Sequence, residues 1–273
     1  MFSHRFSTAL CLFCCGIAIP LLAPVAKATP VYLSRSPVDL SLLKAGIKTF
    51  WQTPACVTQS TLTINGSSTG VSFTGKANLQ ALSQLPNQFR VEVEFAPQDT
   101  GQSQRVVLVS DGETFTAFRP DLNQYMQSPA KDFQGSDNNF WVGFSTLLFL
   151  SMPPETPALF QAGTASSETL FQTILQELQA LDLSESKAKL AGQETVKFSL
   201  NNKTDNLVAS IYLLPPQGRL KAIDFETESQ GIKIQIQEII QQRDCQASIP
   251  NSQFKFLSPP GSQQVKKVEI SPF

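Results

Sequence analysis

Histidine is all but absent from this 273-residue chain, whose single copy is His4. Imidazole is the side chain most often used for acid–base work near neutral pH, and if the N-terminal segment that holds His4 is a removed signal peptide, Ser-His-Asp and Cys-His arrangements are excluded, and histidine-ligated zinc or iron with them. Cysteine is scarce too. Of five, Cys11, Cys14 and Cys15 fall in one N-terminal apolar run, leaving Cys56 and Cys245, too few for a four-thiolate metal site. Neither sign of charge is in excess, with 21 Lys and Arg against 22 Asp and Glu, so the basic footprint of a nucleic-acid partner is missing. There is no G-x-S-x-G, no phosphate-cradling glycine loop and no calcium-loop spacing. Carboxylate or lysine chemistry stays open without a motif to carry it. The expectation is therefore a protein with no catalytic residues, no metal and no cofactor.

What is present begins with the N-terminus. His4-Arg5, an apolar run from Phe6 to Val25 and Ala26-Lys27-Ala28 have the layout of a secretory signal peptide, residues 1–28. An uncleaved anchor is the alternative, against which Pro20, Pro24 and the small-residue exit count. Residues 29–273 would then be a single exported domain, periplasmic in a bacterium. Loss of Arg5 and Lys27 moves its net charge from −1 to −3. Two cysteines in an exported chain read as one disulfide, Cys56–Cys245, with a pair of buried free thiols as the alternative.

Pattern then gives the elements. Leu40, Leu43, Ile47, Phe50 and Trp51 recur at helical spacing after Ser36-Pro37, predicting a helix over 37–52 that stops before Pro54. From there period two takes over: in QFRVEVEF, Phe89, Val91, Val93 and Phe95 alternate with Arg90, Glu92 and Glu94. CVTQSTLTING, GVSFTGKANL, QRVVLVSDG, ETFTAFRP, ETVKFSL, LVASIYLL, RLKAIDFETE and GIKIQIQEII read as further antiparallel strands between turn signals. Two helical patterns interrupt them. One covers 166–181, and the other lies in NNFWVGFSTLLFLSMPP, residues 138–154, which is too apolar for a surface loop and too short for a membrane span. A sheet this long curls, and inserted helices can fill its concave face.

Several stretches, in this order, resemble the superfamily of the outer-membrane lipoprotein carrier LolA and its receptor LolB: CVTQSTLTIN, LPNQFRVEVEF, VLVSDGETFTAFRPDLNQY and FKFLSPPGSQQV. The resemblance implies a mainly β fold with α, an unclosed antiparallel β half-barrel with helices covering its concave face. It also implies a hydrophobic cavity that takes lipid or lipoprotein acyl chains, with a lipid or acylated lipoprotein as partner and transient membrane contact. On that frame the expected cavity and lid are Phe89, Val91, Val93, Phe95, Leu108, Phe115, Trp141, Phe144, Leu147 and Leu148. One departure stands out, because the carrier's lid-holding arginine precedes Pro-Asn-x-Phe and this chain has Leu85 there. The alternative is that these aromatics pack a core with no cavity, in an envelope sensor or structural module whose partners are envelope proteins.

Overall fold

The computed structural model describes residues 38–96, 103–136, 138–163, 182–202, 206–229, 231–246 and 248–270, with 168, 169, 171–174 and 178. The expected signal peptide lies outside them.

Two antiparallel meanders make one sheet. The first is β1 (Ala55–Ser68), β2 (Val71–Gln84), β3 (Gln88–Phe95), β4 (Gln104–Asp111), β5 (Thr114–Arg119) and β6 (Gln124–Pro129). The second is β7 (Asp182–Leu190), β8 (Gln193–Asn202), β9 (Leu207–Leu214), β10 (Arg219–Ser229) and β11 (Ile232–Gln246). Pairing of β1 with β11 joins them, and the two-residue β12 (Gln263–Gln264) lies parallel to β6. β12 and β7 are the two unpaired edges, so the half-barrel is open, as expected.

This order explains the position of the helices. β6 and β7 lie at opposite sides of the sheet, so the chain between them must cross a face. It does so through α2 (Ala130–Gln134), a 3-10 turn (Asn139–Val142), α3 (Phe144–Leu150), α4 (Thr156–Ala162) and the helical residues 168, 169, 171–174 and 178. Phe133, Trp141, Phe144, Phe149, Phe160 and Phe171 along this path share one core with the inward rows of the strands. The helix read over 140–150 is in fact divided, because Gly143 sits at φ +87° between the 3-10 turn and α3. Of the helix read over 166–181, Leu170, Leu175 and Leu181 lie outside the described residues.

The first helix, α1 (Ser41–Trp51), starts later than its pattern predicted, where the Asp39 carboxylate accepts the Ser41 N–H at 2.9 Å. It presses on the β9–β10 turn with two glycines in contact. A Cβ on Gly46 would lie 2.8 Å from the Gly218 carbonyl oxygen, and one on Gly218 2.5 Å from Gly46 N.

Strands β6 and β7 were not anticipated. β7 is an edge strand with no buried residue, so it shows none of the alternation that half-burial imposes on a sequence. The C-terminal segment, which carried no expected role beyond a short strand or tail, wraps the outer face. Ile249 and Phe254 pack on Ala55, Phe256 meets Phe118 and Tyr125, and Val268 and Ile270 enter the main core. Arg119, held by Asp121 at 2.8 and 2.6 Å, ties this segment down by donating to the Glu269 carbonyl at 3.1 Å.

The Arg119 guanidinium holds the Asp121 carboxyl below its ordinary range. A carboxyl with a depressed folded pKa contributes stability above its unfolded value, near 3.8, and loses it as pH falls through the lower folded value. Asp121→Asn should therefore cost at most about 1 kcal/mol at neutral pH, since Asp121 is well exposed, and the difference should vanish in acid. Hydrogen exchange should rise at residues 265–270; unchanged exchange there would break the link between this ion pair and the tail.

Candidate functional site

The inner face is filled unevenly. Over β3–β5, rings close it: Phe115 stacks on Phe133 at 3.8 Å and 8°, Phe89 meets both at 6.3 and 6.0 Å, and Trp141 meets Phe95 edge-on at 4.8 Å. Phe144 lies 4.4 Å from Phe225. Phe89, Val91, Val93, Phe95, Leu108 and Phe115 are all buried in this packing, as are Trp141 and Phe144, with Leu147 half-buried.

Leu148, of the predicted site residues, is set apart from this packing. It lines a cavity of about 70 Å³ beyond the packed half, over β7–β10. Leu43, Ile47, Phe50 and Trp51 of α1 form one wall and Ile174 and Leu178 another. The floor is Leu183, Phe198, Leu200, Ile211, Leu213 and Leu220. Among the described residues no lining side chain is charged, and the Trp51 indole N–H is the sole hydrogen-bond donor on one. It is buried without a partner among the described residues.

This lining was visible in the sequence as the apolar stripe of α1 and the inward residues of ETVKFSL and LVASIYLL. Nothing in those patterns says where packing fails. A cavity is what remains when side chains from distant segments do not meet.

A polar contact pins α3 to the sheet. Glu238, 1% exposed, accepts the Ser145 N–H at 2.7 Å and the Ser145 hydroxyl at 2.8 Å. A Cβ on Gly143 would lie 2.9 Å from Glu238 Oε1, so this approach depends on glycine there as well. Leu85, by contrast, is buried and packs in the core. Arg90 shares a strand edge with Glu92, away from the helices. Where the carrier family implies an arginine beside Pro-Asn, this chain holds its covering helix from β11 instead.

Glu238→Ala leaves two buried donors of Ser145 unpaired, at about 1–3 kcal/mol each. Glu238→Gln keeps an acceptor for the N–H and should cost less. Chemical denaturation of both variants checks this, and equal losses would show that the carboxylate is not acting as an acceptor.

Beside the cavity, across Phe50 and Leu220, lies a polar groove of about 360 Å³. Thr49 lines it from α1, Gln52 and Thr53 from the chain just after α1, Gln193 from β8, and Arg219, Lys221, Gln241 and Arg243 from β10 and β11. Arg243 reaches inward, its guanidinium 4.2 Å from the Phe50 ring centre and 5.4 Å from that of Phe149. It donates to Thr58 Oγ1 at 2.8 Å and to Cys56 Sγ at 3.2 Å, while its Nε is buried without a partner among the described residues. Burial pushes this guanidinium down to about 10, opposed by the charge of Glu238, so it remains a cation at neutral pH. Cys56 is bonded to Cys245 with an S–S distance of 2.06 Å, the two standing opposite each other across β1 and β11.

Among the described residues no group of three or more His, Cys, Asp or Glu side chains is placed to hold a metal ion, and no helix is long and apolar enough to cross a membrane.

No family model matches the sequence, and no curated protein does. Among solved structures, LprF from Mycobacterium bovis aligns over 77% of this chain and 94% of its own, at 12% identity and a TM-score of 0.39. A LolA superfamily protein from Nitrosomonas europaea aligns over 81% of this chain and 99% of its own, at 9% identity and a TM-score of 0.30. A chain in the structure of MucB in complex with MucA(peri) aligns over 80% of this chain at 12% identity and a TM-score of 0.32, and this protein spans 59% of that chain's length.

Proposed function

We propose that this protein binds an apolar chain, the acyl tail of a lipid or of an acylated lipoprotein, as a periplasmic binding or carrier protein that meets the membrane transiently. One observation carries the reading: the described side chains that wall the cavity beside α1 are uncharged and, but for the Trp51 N–H, apolar. Each methylene moved from water into such surroundings gains about 0.8 kcal/mol. At about 70 Å³ the cavity takes the end of a chain as it stands, and a whole chain needs the helical cover to lift. The ten residues first expected to line the site then divide in role. Leu148 meets the ligand, and the packed rows from Phe89 to Phe115 with Trp141, Phe144 and Leu147 form the rigid side against which the cover closes.

The test uses a neutral probe, 1-dodecanol, titrated into the Trp141→Phe protein so that emission comes from Trp51 on the cavity wall. Saturable binding is expected, reduced at least tenfold (about 1.4 kcal/mol) by Leu183→Phe, which fills the floor. Binding unaffected by Leu183→Phe would place the ligand elsewhere. Absence of binding would favour a second reading, an envelope sensor or structural interaction module. The filled half of the inner face supports that reading, together with the exposed Val71, Phe73 and Ile232 near the free end of β1.

A further inference from the structure

We infer that the ligand is an anionic amphiphile: its carboxylate or phosphate head sits in the groove between Arg219, Lys221 and Arg243, and its alkyl chain passes Phe50 and Leu220 into the apolar cavity. This rests on the proposed apolar-chain binding and names the class of molecule bound.

Three observations converge on it. First, the groove is lined by three cationic side chains and no acidic one, with Thr49, Thr53, Gln52, Gln193 and Gln241 adding hydroxyl and amide groups. Among the described residues Arg219, Lys221 and Arg243 make no salt bridge; Lys221 Nζ donates to the Ile240 carbonyl at 3.1 Å. The carboxylate whose charge acts on Arg243, Glu238, is itself engaged by Ser145.

Second, two of the three buried side-chain polar atoms without a partner among the described residues are donors beside Phe50, Arg243 Nε of a groove residue and Trp51 Nε1 of a cavity-wall residue; the third, Gln104 Oε1, lines neither the cavity nor the groove. Buried donors of this sort are costly to leave unmade. A ligand whose head lies in the groove brings oxygen acceptors to the Arg243 side.

Third, cavity and groove share Phe50 and Leu220 as walls, so an apolar compartment and a cationic one adjoin. A neutral apolar ligand would leave the cationic groove unused. A small hydrophilic anion would leave the apolar cavity unused.

Four probes decide the matter by calorimetry at low ionic strength: dodecanoic acid, dodecyl phosphate, 1-dodecanol and inorganic phosphate. Both anionic amphiphiles should bind about tenfold or more tightly than 1-dodecanol, because charge-assisted hydrogen bonds add to the same alkyl burial. Inorganic phosphate should bind far more weakly than dodecyl phosphate. Salt should narrow the gap between anion and alcohol. In the double variant Arg219→Gln, Lys221→Gln, both at the accessible side of the groove, the gap should shrink to about threefold through loss of anion affinity, with melting temperature measured beside it.

Equal affinity of acid and alcohol, with both binding, overturns the anionic head and leaves the apolar-chain reading standing. Inorganic phosphate binding as tightly as dodecyl phosphate overturns the amphiphile, since the chain then contributes nothing. Binding of none of the four overturns this inference and the proposed function together.

Discussion

Reduction of the Cys56–Cys245 disulfide is expected to lower the stability of this protein by up to about 5 kcal/mol. The bridge closes a loop with a sequence separation of 189, and in the chain-entropy treatment the restriction it places on the unfolded chain grows with that length. Its place in the fold adds a second reason. β1 and β11 are the pair at which the two meanders meet, and the cysteines face each other across that pair. Guanidinium unfolding with and without reductant, and of the Cys56→Ala, Cys245→Ala double variant, measures the effect as a shift in midpoint. A midpoint that stays put would mean that the β1–β11 ladder holds the two meanders together unaided.

Truncation of Phe144 to alanine should cost about 3–5 kcal/mol, the range for a fully buried ring whose surroundings relax only in part. Phe144 is 1% exposed, packs on Phe225 and lies away from the cavity, so its removal opens new empty space in a filled region. Leu148, one turn later in α3, is the internal comparison. It already borders the cavity, so Leu148→Ala enlarges an existing space and should fall near the low end of the roughly 2–5 kcal/mol range for leucine truncation. Denaturation midpoints of the two variants settle the order. If Leu148→Ala costs as much as Phe144→Ala, the cavity beside it is closed in solution.

Much of this architecture is legible in the linear chain, because half-buried strands advertise themselves. Phe89, Val91, Val93 and Phe95 alternate with polar residues since a sheet has one dry face and one wet one, and the structure buries those four inward. The cysteine pairing was legible for a different reason, since the two cysteines outside the N-terminal apolar run leave one partner each. The apolar stretch 138–154 identified itself by elimination. Less could be read where burial leaves no period. β7 is an exposed edge, and the tail residues Val268 and Ile270 are core contributions too sparse to form a pattern.

Sequence by itself thus determined most of the strands, the inward row of Phe89 to Phe95, the pair of cysteines available to each other and the need to bury residues 140–150, because each follows from local periodicity or from counting. Tertiary structure alone decided the site. The pairing of β1 with β11 shifts register between Gln59 and Ser60, where a bulge in β11 breaks strict alternation. Glu238 and Ile240 precede that shift, and Arg243 and Cys245 follow it opposite the inward Thr58 and Cys56, so all four share the inner face although an odd interval separates them. A one-residue slip exchanges the faces of a strand, and only long-range pairing determines where it occurs. The cavity has the same origin: α1, α3, β8 and β9 each carry apolar residues legible in sequence, but whether their side chains meet or leave a gap depends on how distant segments are brought together.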